Sequence, residues 1–162
     1  MTAMHVNSLT KRGMSALDCH KLLFDTNALV DFSCPTYERP RHDAVATLVT
    51  QAFVHSITTY VSMGSLKDTY YLLRRMGRNH VEAQRAVGRL LMVFTPLDLC
   101  SHHARSALVS DEPDFEDGLI RAQAEELGVD AIVTDDRHAF ATCEIPHLSA
   151  ADCLKAFWPD AA

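Results

Sequence analysis

Short apolar runs alternate with stretches of helical spacing along most of the chain. The run "HKLLFD" (20–25) is continuously apolar at its centre, the pattern of a short strand buried on both faces, and "TNALVDFS" opens a helix directly after it. In "ERPRHDAVATLVTQA" the apolar positions Ala44, Val45, Leu48 and Val49 fall on one helical face. "FVHSITT" (53–59), β-branched and aromatic, predicts a second strand. "SLKDTYYLLRRMG" repeats Leu66, Tyr70 and Leu73 at helical spacing and stops at Gly77. "HVEAQRAVGRLLMVF" predicts a helix running into a strand near Val93–Leu97, and "LCSHHARSALV" another helix. The clearest helix is "PDFEDGLIRAQAEELG": Pro113 precedes it, Gly128 ends it, and Ile120, Ala124 and Leu127 share a face. "VDAIVT" (129–134) and "IPHLS" (145–149) complete the strands, and "AADCLKAF" follows as a last helix.

Strands that alternate with helices predict an α/β fold, a three-layer α/β/α sandwich around a central, mainly parallel sheet. The length of 162 residues suits one domain, expected over 21–158, with residues 1–20 as a polar extension that has no continuous apolar core of a secretory signal. No apolar run approaches the roughly 20 residues that span a bilayer. The five cysteines are an odd set without C-x-x-C spacing, which points to reduced thiols and a cytoplasmic protein. His102 and His103 are neighbours on a helix and are expected to point apart, so no zinc site is read there.

Net charge is −6, but its distribution says more than the total. From Asp111 to Asp136 ten acids face a single base, Arg121, whereas from Lys67 to Arg89 six bases face only Asp68 and Glu82. An acidic pole beside a basic one suits a metal site that also holds a polyanion. Two solvated helix faces are the plainer reading of the same pattern.

Within "LLFDTNALVDF" the polar residues Asp25, Thr26 and Asn27 interrupt an apolar run, and an ionised carboxylate in such a setting needs compensation. Asp25 ends the first strand, Asp117 stands in the first turn of the clearest helix, and Asp136 follows "AIVT". In a parallel sheet, strand carboxyl ends and helix N-termini share one edge, so these three acids can converge there. Carboxylates packed together repel and take up protons unless a hard divalent cation neutralises them. Plainer roles stand beside this one. Asp25 fits a helix cap, Ser65-x-x-Asp68 is close to a capping box, and Asp114 is assigned to capping. Glu116 is expected to be solvated, Asp135 to face away from its neighbour Asp136, and Tyr70 and Tyr71 to belong to the core rather than stack on bases.

Three segments, "LLFDTNALVDF", "SLKDTYYLLRR" and "DFEDGLIRAQAEELGVDAIVTDDRHAF", together resemble the successive motifs of PIN-domain ribonucleases of the VapC toxin type, over roughly Lys21 to Leu154. The resemblance implies that Asp25, Asp117 and Asp136 bind Mg²⁺ or Mn²⁺, with Asn27 and Thr134 as supporting polar residues. Many members place a Glu where this chain has Asp68, and that shorter side chain leaves the catalytic strength open. The implied activity is metal-dependent endoribonuclease cleavage of RNA, with 5′-phosphate and 3′-hydroxyl products. Lys67, Arg74, Arg75 and Arg78 are the candidates to hold the RNA backbone. A cognate antitoxin and homodimerisation are further implications of the family. The competing reading is a PIN-fold module that binds RNA or protein without cleaving it.

Overall fold

Leu22, Leu23 and Phe24 have no exposed surface, so the first strand packs apolar side chains against both faces of a sheet. The computed structural model describes residues 19–159. In chain order these form β1 (Lys21–Phe24), α1 (Thr26–Ser33), α2 (His42–Val54), β2 (Thr58–Ser62), α3 (Met63–Arg75), α4 (His80–Val93), β3 (Thr95–Leu97), α5 (Ser101–Val109), α6 (Phe115–Leu127), β4 (Ala131–Val133), β5 (His147–Leu148) and α7 (Ala150–Phe157). The extension expected over 1–20 lies outside the described residues except for Cys19 and His20. The carbonyl of His20 already accepts the Thr58 N–H at 2.9 Å, at the mouth of the β1–β2 pairing.

All five strands are parallel, in the order β3-β2-β1-β4-β5. Side chains alternate across β1. Leu22 and Phe24 join Val61, Ala131 and Val133 beneath α1, α2 and α7, while Leu23 joins Ile132 beneath Ile120 and Ala124 of α6. This is the α/β/α sandwich. A third apolar cluster of Val30, Cys34, Leu73, Ala83 and Ala86 ties α1 to the α3–α4 pair. The five cysteines are free thiols, and no described helix is long and apolar enough to cross a membrane.

The second strand lies further along than its composition suggests. Phe53 and Val54 end α2, exposed at 85% and 65%, and the chain reverses at Ser56 in the left-handed region (φ 57°) before β2 begins at Thr58. Their strand propensity yields to the helix that precedes them. Likewise α3 starts two residues before the expected Ser65, because Ser62 caps it by accepting the Gly64 N–H at 3.1 Å. Tyr70 is half-buried with its hydroxyl on His80 Nδ1, but Tyr71 is 59% exposed and outside the core.

His102 and His103 do not point apart. Their ring centroids are 4.1 Å from each other, and both Nε2 atoms reach Oε2 of Glu126, at 2.5 and 2.8 Å. Two imidazoles and a carboxylate with ligand atoms within 4.8 Å have the composition of a metal site. The tautomer argues otherwise. Nδ1 of His103 accepts the Cys100 N–H at 3.0 Å, so a neutral ring carries its proton on Nε2 and donates it to Glu126. That nitrogen then has no lone pair for a cation, and the trio is a hydrogen-bonded clamp between α5 and α6.

The same two helices meet at Gly118, where an added Cβ would lie 2.9 Å from Ala107 Cα, Ala107 Cβ and Ser110 Oγ. Backbone cannot give way as a flexible side-chain tip does. Gly118→Ala is expected to destabilise the protein by about 1–3 kcal/mol. Urea unfolding would show a lower midpoint at an unchanged slope, and an unchanged midpoint would mean that the helices separate freely.

Candidate active site

The strand order reverses direction at β1, whose neighbours β2 and β4 lead to opposite halves of the sheet. Open α/β sheets form a crevice at such a switch point, outside the strand carboxyl ends. Asp25 follows β1 there, and Thr134 to Asp136 follow β4.

Asp25 is 3% exposed and serves as the N-cap of α1. Oδ1 accepts the Thr26 N–H at 2.5 Å, and Oδ2 accepts the Thr134 hydroxyl at 2.8 Å. Capping and convergence are thus the same arrangement. The Thr134 oxygen in turn accepts the Asp136 N–H at 3.0 Å, so one hydroxyl ties Asp25 to the backbone of Asp136. Asp136 Oδ1 accepts the N–H groups of His138 and Ala139 at 2.7 and 3.3 Å, which folds the following loop about its carboxylate. Glu112 fixes the far side of that loop: it accepts the Phe140 N–H at 2.6 Å and pairs with Arg121 of α6 at 2.9 Å. Phe140 itself has φ 62° and is fully buried.

The first turn of α6 supplies the opposite wall. Asp114 caps it by accepting the Asp117 N–H at 2.9 Å, and Asp117 is buried. Burial pushes the Asp117 carboxyl up to about 7, and the charges of Asp114, Asp25, Asp136 and Glu112 push the same way. Burial likewise pushes Asp25 up to about 6, against the hydrogen bonds from Thr134 and Thr26 that hold it down. These shifts identify Asp25, Asp117 and Asp136 as neighbours in one electrostatic cluster.

Glu116 was expected to be solvated, yet it faces the cluster. It is half-buried and accepts the Thr26 hydroxyl. Burial raises its pKa, and the charges of Asp68 and Asp114 add to that. Residues in the first turn of a helix all sit at its end, so an angular offset from Asp117 does not carry Glu116 away from a site at that end. The first-turn position beside Asp117 was the signal available in the sequence. Asp68 lies inside α3, not at a cap, half-buried, with Lys67 Nζ at 3.1 Å. Lys67 is close enough that its charge draws the Glu116 pKa down. Asn27 is exposed on the first turn of α1.

Not every candidate reaches this edge. Asp135 turns the other way to pair with Arg41 at 3.2 Å, near Asp31 and Asp152. Arg74 and Arg75 occupy the last turn of α3, about 10 Å further along the axis than Asp68. Arg78 lies beyond that helix and pairs with Glu38.

The cluster offers carboxylate oxygens, the donor type that a hard divalent cation such as Mg²⁺ or Mn²⁺ prefers. Among the described residues no three of these acids bring ligand atoms within 4.8 Å of one another, so closing on a cation would draw them together. Without a cation the cluster also sets a pH dependence. An acid whose pKa is raised in the folded state holds its proton more tightly there than when unfolded. Its effect on stability is therefore absent below its unfolded value near 4 and grows unfavourable as pH rises through about 7. With a chelator present, Asp117→Asn is expected to raise the melting temperature at pH 8 by about 2–4 °C, roughly 1 kcal/mol. The gain should be smaller at pH 5. Equal gains at both pH values would show that Asp117 is not under electrostatic stress.

A family model described as "PIN domain" matches residues 21–138. Among solved structures the chain is similar to the Mycobacterium tuberculosis toxin VapC20, described as a sarcin–ricin loop cleaving toxin, with a TM-score of 0.61 and 18% identity over 75% of this chain and 95% of that one. No curated protein sequence matches. The family match spans β1 to the loop after β4, including every acid of the cluster, and the chain belongs to the PIN-domain family.

Proposed function

We propose that this protein is a metal-dependent endoribonuclease that hydrolyses RNA phosphodiester bonds and serves as the toxin of a toxin–antitoxin pair. The observation that carries this reading is the convergence of Asp25, Glu116, Asp117 and Asp136 at the switch point of the sheet, with Asp25 and Asp117 protonated more readily than ordinary carboxyls. The fold shared with VapC20, a toxin that cleaves the sarcin–ricin loop, makes RNA the substrate class to test.

Asp25, Asp117 and Asp136 would hold Mg²⁺ or Mn²⁺, with Glu116 and Asp68 completing the acidic edge. When bound, the cation supplies an activated water and neutralises charge that develops on the scissile phosphate. The chain's own residues prepare that edge. Thr134 is a positioning residue that holds Asp25 Oδ2 and the Asp136 backbone at once. Thr26 does the same between α1 and α6, with its N–H on Asp25 and its hydroxyl on Glu116. Asn27 offers an exposed amide beside them, and Lys67 an exposed ammonium for a backbone phosphate. An antitoxin would inhibit by covering this edge, the protein would act in the cytoplasm, and a homodimer is the assembly to test.

One observation favours the non-cleaving alternative: Asp68, the shortened acid, already has an ammonium at 3.1 Å. Calorimetric titration of Mn²⁺ separates the two. The nuclease reading expects micromolar binding, weakened at least about ten-fold by Asp117→Asn, with RNA cleavage lower by about 100-fold or more. Thr134→Val should weaken Mn²⁺ about 10- to 100-fold while removing no carboxylate. A folded wild-type protein that binds no Mn²⁺ would favour the binding module.

A further inference from the structure

A groove runs between the C-terminal end of α1 and the outer face of α4, away from the acidic edge. One part, about 240 Å³, is apolar, with Phe32, Leu90, Met92 and Val93 in its wall. The adjoining part, about 380 Å³, has Arg78, Arg85, Arg89, Glu82 and Tyr37 in its lining, three cations to one anion. Ser33, Ala86 and Arg89 border both, so the two are continuous.

The charges of the groove are unevenly answered. Arg78 is paired with Glu38. Arg85 and Arg89 are exposed and one turn apart on α4, where like charges repel. Arginine ion pairs among the described residues involve Arg39, Arg41, Arg78 and Arg121, and none involves these two. Glu82, one turn before Arg85, also lines the groove; its Oε2 accepts the Asn79 N–H at 2.8 Å, and it forms no ion pair with either arginine. The Ser33 hydroxyl is buried and makes no hydrogen bond with any protein group. Tyr37 at the rim is 86% exposed. Two unanswered guanidiniums, an unpartnered hydroxyl, an exposed aromatic ring and an apolar floor together suit a single-stranded nucleic acid. Its phosphates meet arginine forks, and its bases stack on rings or rest on apolar surface.

We propose that this groove is a second RNA-binding site, with Arg85 and Arg89 on backbone phosphates and Tyr37 stacked on a base. The proposal rests on the RNA reading above and moves the main backbone contacts from α3 to α4. The eight residues of α1 separate Ser33 from Asp25, about 12 Å, so one strand can occupy groove and acidic edge together.

The test is fluorescence anisotropy of a labelled single-stranded oligouridine on the full chain, with EDTA present and salt varied. The variants are Arg85→Gln with Arg89→Gln, Tyr37→Ala, and Arg105→Gln as an exposed control. All are surface positions, and urea midpoints check that each variant is folded. The double variant should bind about ten-fold more weakly and lower the log–log salt slope by about 1.4, two phosphate contacts at about 0.7 each. Tyr37→Ala should weaken binding about ten-fold at an unchanged slope. Affinity and slope indifferent to both arginines would overturn the proposal, as would a wild-type chain that binds no RNA. So would tighter, arginine-dependent binding of a polyglutamate peptide, which would make the groove a site for acidic protein. Failure here is separable from failure of the nuclease reading. Cleavage retained with RNA affinity insensitive to the arginines sinks the groove alone, whereas absent Mn²⁺ binding with arginine-dependent RNA affinity sinks the nuclease alone.

Discussion

Burial of carboxylates at one sheet edge, with their mutual repulsion added to it, is the constraint around which this site is arranged. Asp25 shows the balance most directly. Its two oxygens receive a backbone N–H and a hydroxyl, each hydrogen bond to a charged group worth about 1.5–3 kcal/mol. Burial still outweighs them and leaves its carboxyl near 6, a residual cost on the order of 3 kcal/mol for the ionised form. A scaffold with no use for this charge has an easy remedy, since Asn caps a helix about as well as Asp. Retaining an ionisable group there, with Asp117 and Glu116 opposite, is intelligible when a cation offsets the repulsion.

Such a cluster needs walls that do not relax apart. The Glu126 clamp and the close approach at Gly118 lock α5 to α6. Glu112 then joins α6, through Arg121, to the backbone of Phe140 beyond the Asp136 loop. The acids of α6 and of the loop after β4 are therefore held against each other by groups outside the cluster, of which Glu112 has its charge answered by Arg121. Thr26 and Thr134 complete the tie to β1. A loosened wall would let the carboxylates separate and regain water, which relieves the repulsion but disperses the donors.

The layered fold was legible because each central strand is buried on both faces and each helix shows one apolar stripe. Asp25 was legible for the related reason that a carboxylate inside an apolar run demands a partner. What failed involved competition between neighbouring elements. Phe53 and Val54 carry strand propensity, yet α2 continues through them and leaves them in solvent. Ser65 and Asp68 have capping spacing, but Ser62 caps first and puts both inside α3. Glu116 and the His102–His103 pair both depart from the simple rule that adjacent helical residues diverge. In a first turn both residues still lie at the helix end, and in α5 a single carboxylate from another helix reaches both rings. Arg85 and Arg89 formed part of a basic stretch in the sequence. Only the packing of α4 beside α1 places both on the wall of one groove, where neither has an ion-pair partner.

The separation of acids from arginines along α1 has an electrostatic consequence for a chain of net charge −6. At physiological ionic strength fields decay over about 8 Å, less than the roughly 12 Å length of α1. The arginine groove can therefore attract a polyanion without its field being cancelled by the acids, and the acids keep their mutual repulsion without relief from the arginines. If the two were interleaved they would neutralise one another as internal ion pairs, as Arg39 and Arg41 do with Asp31 and Asp135 on the neighbouring face. Distance along one short helix keeps the two sets of charge from pairing with each other.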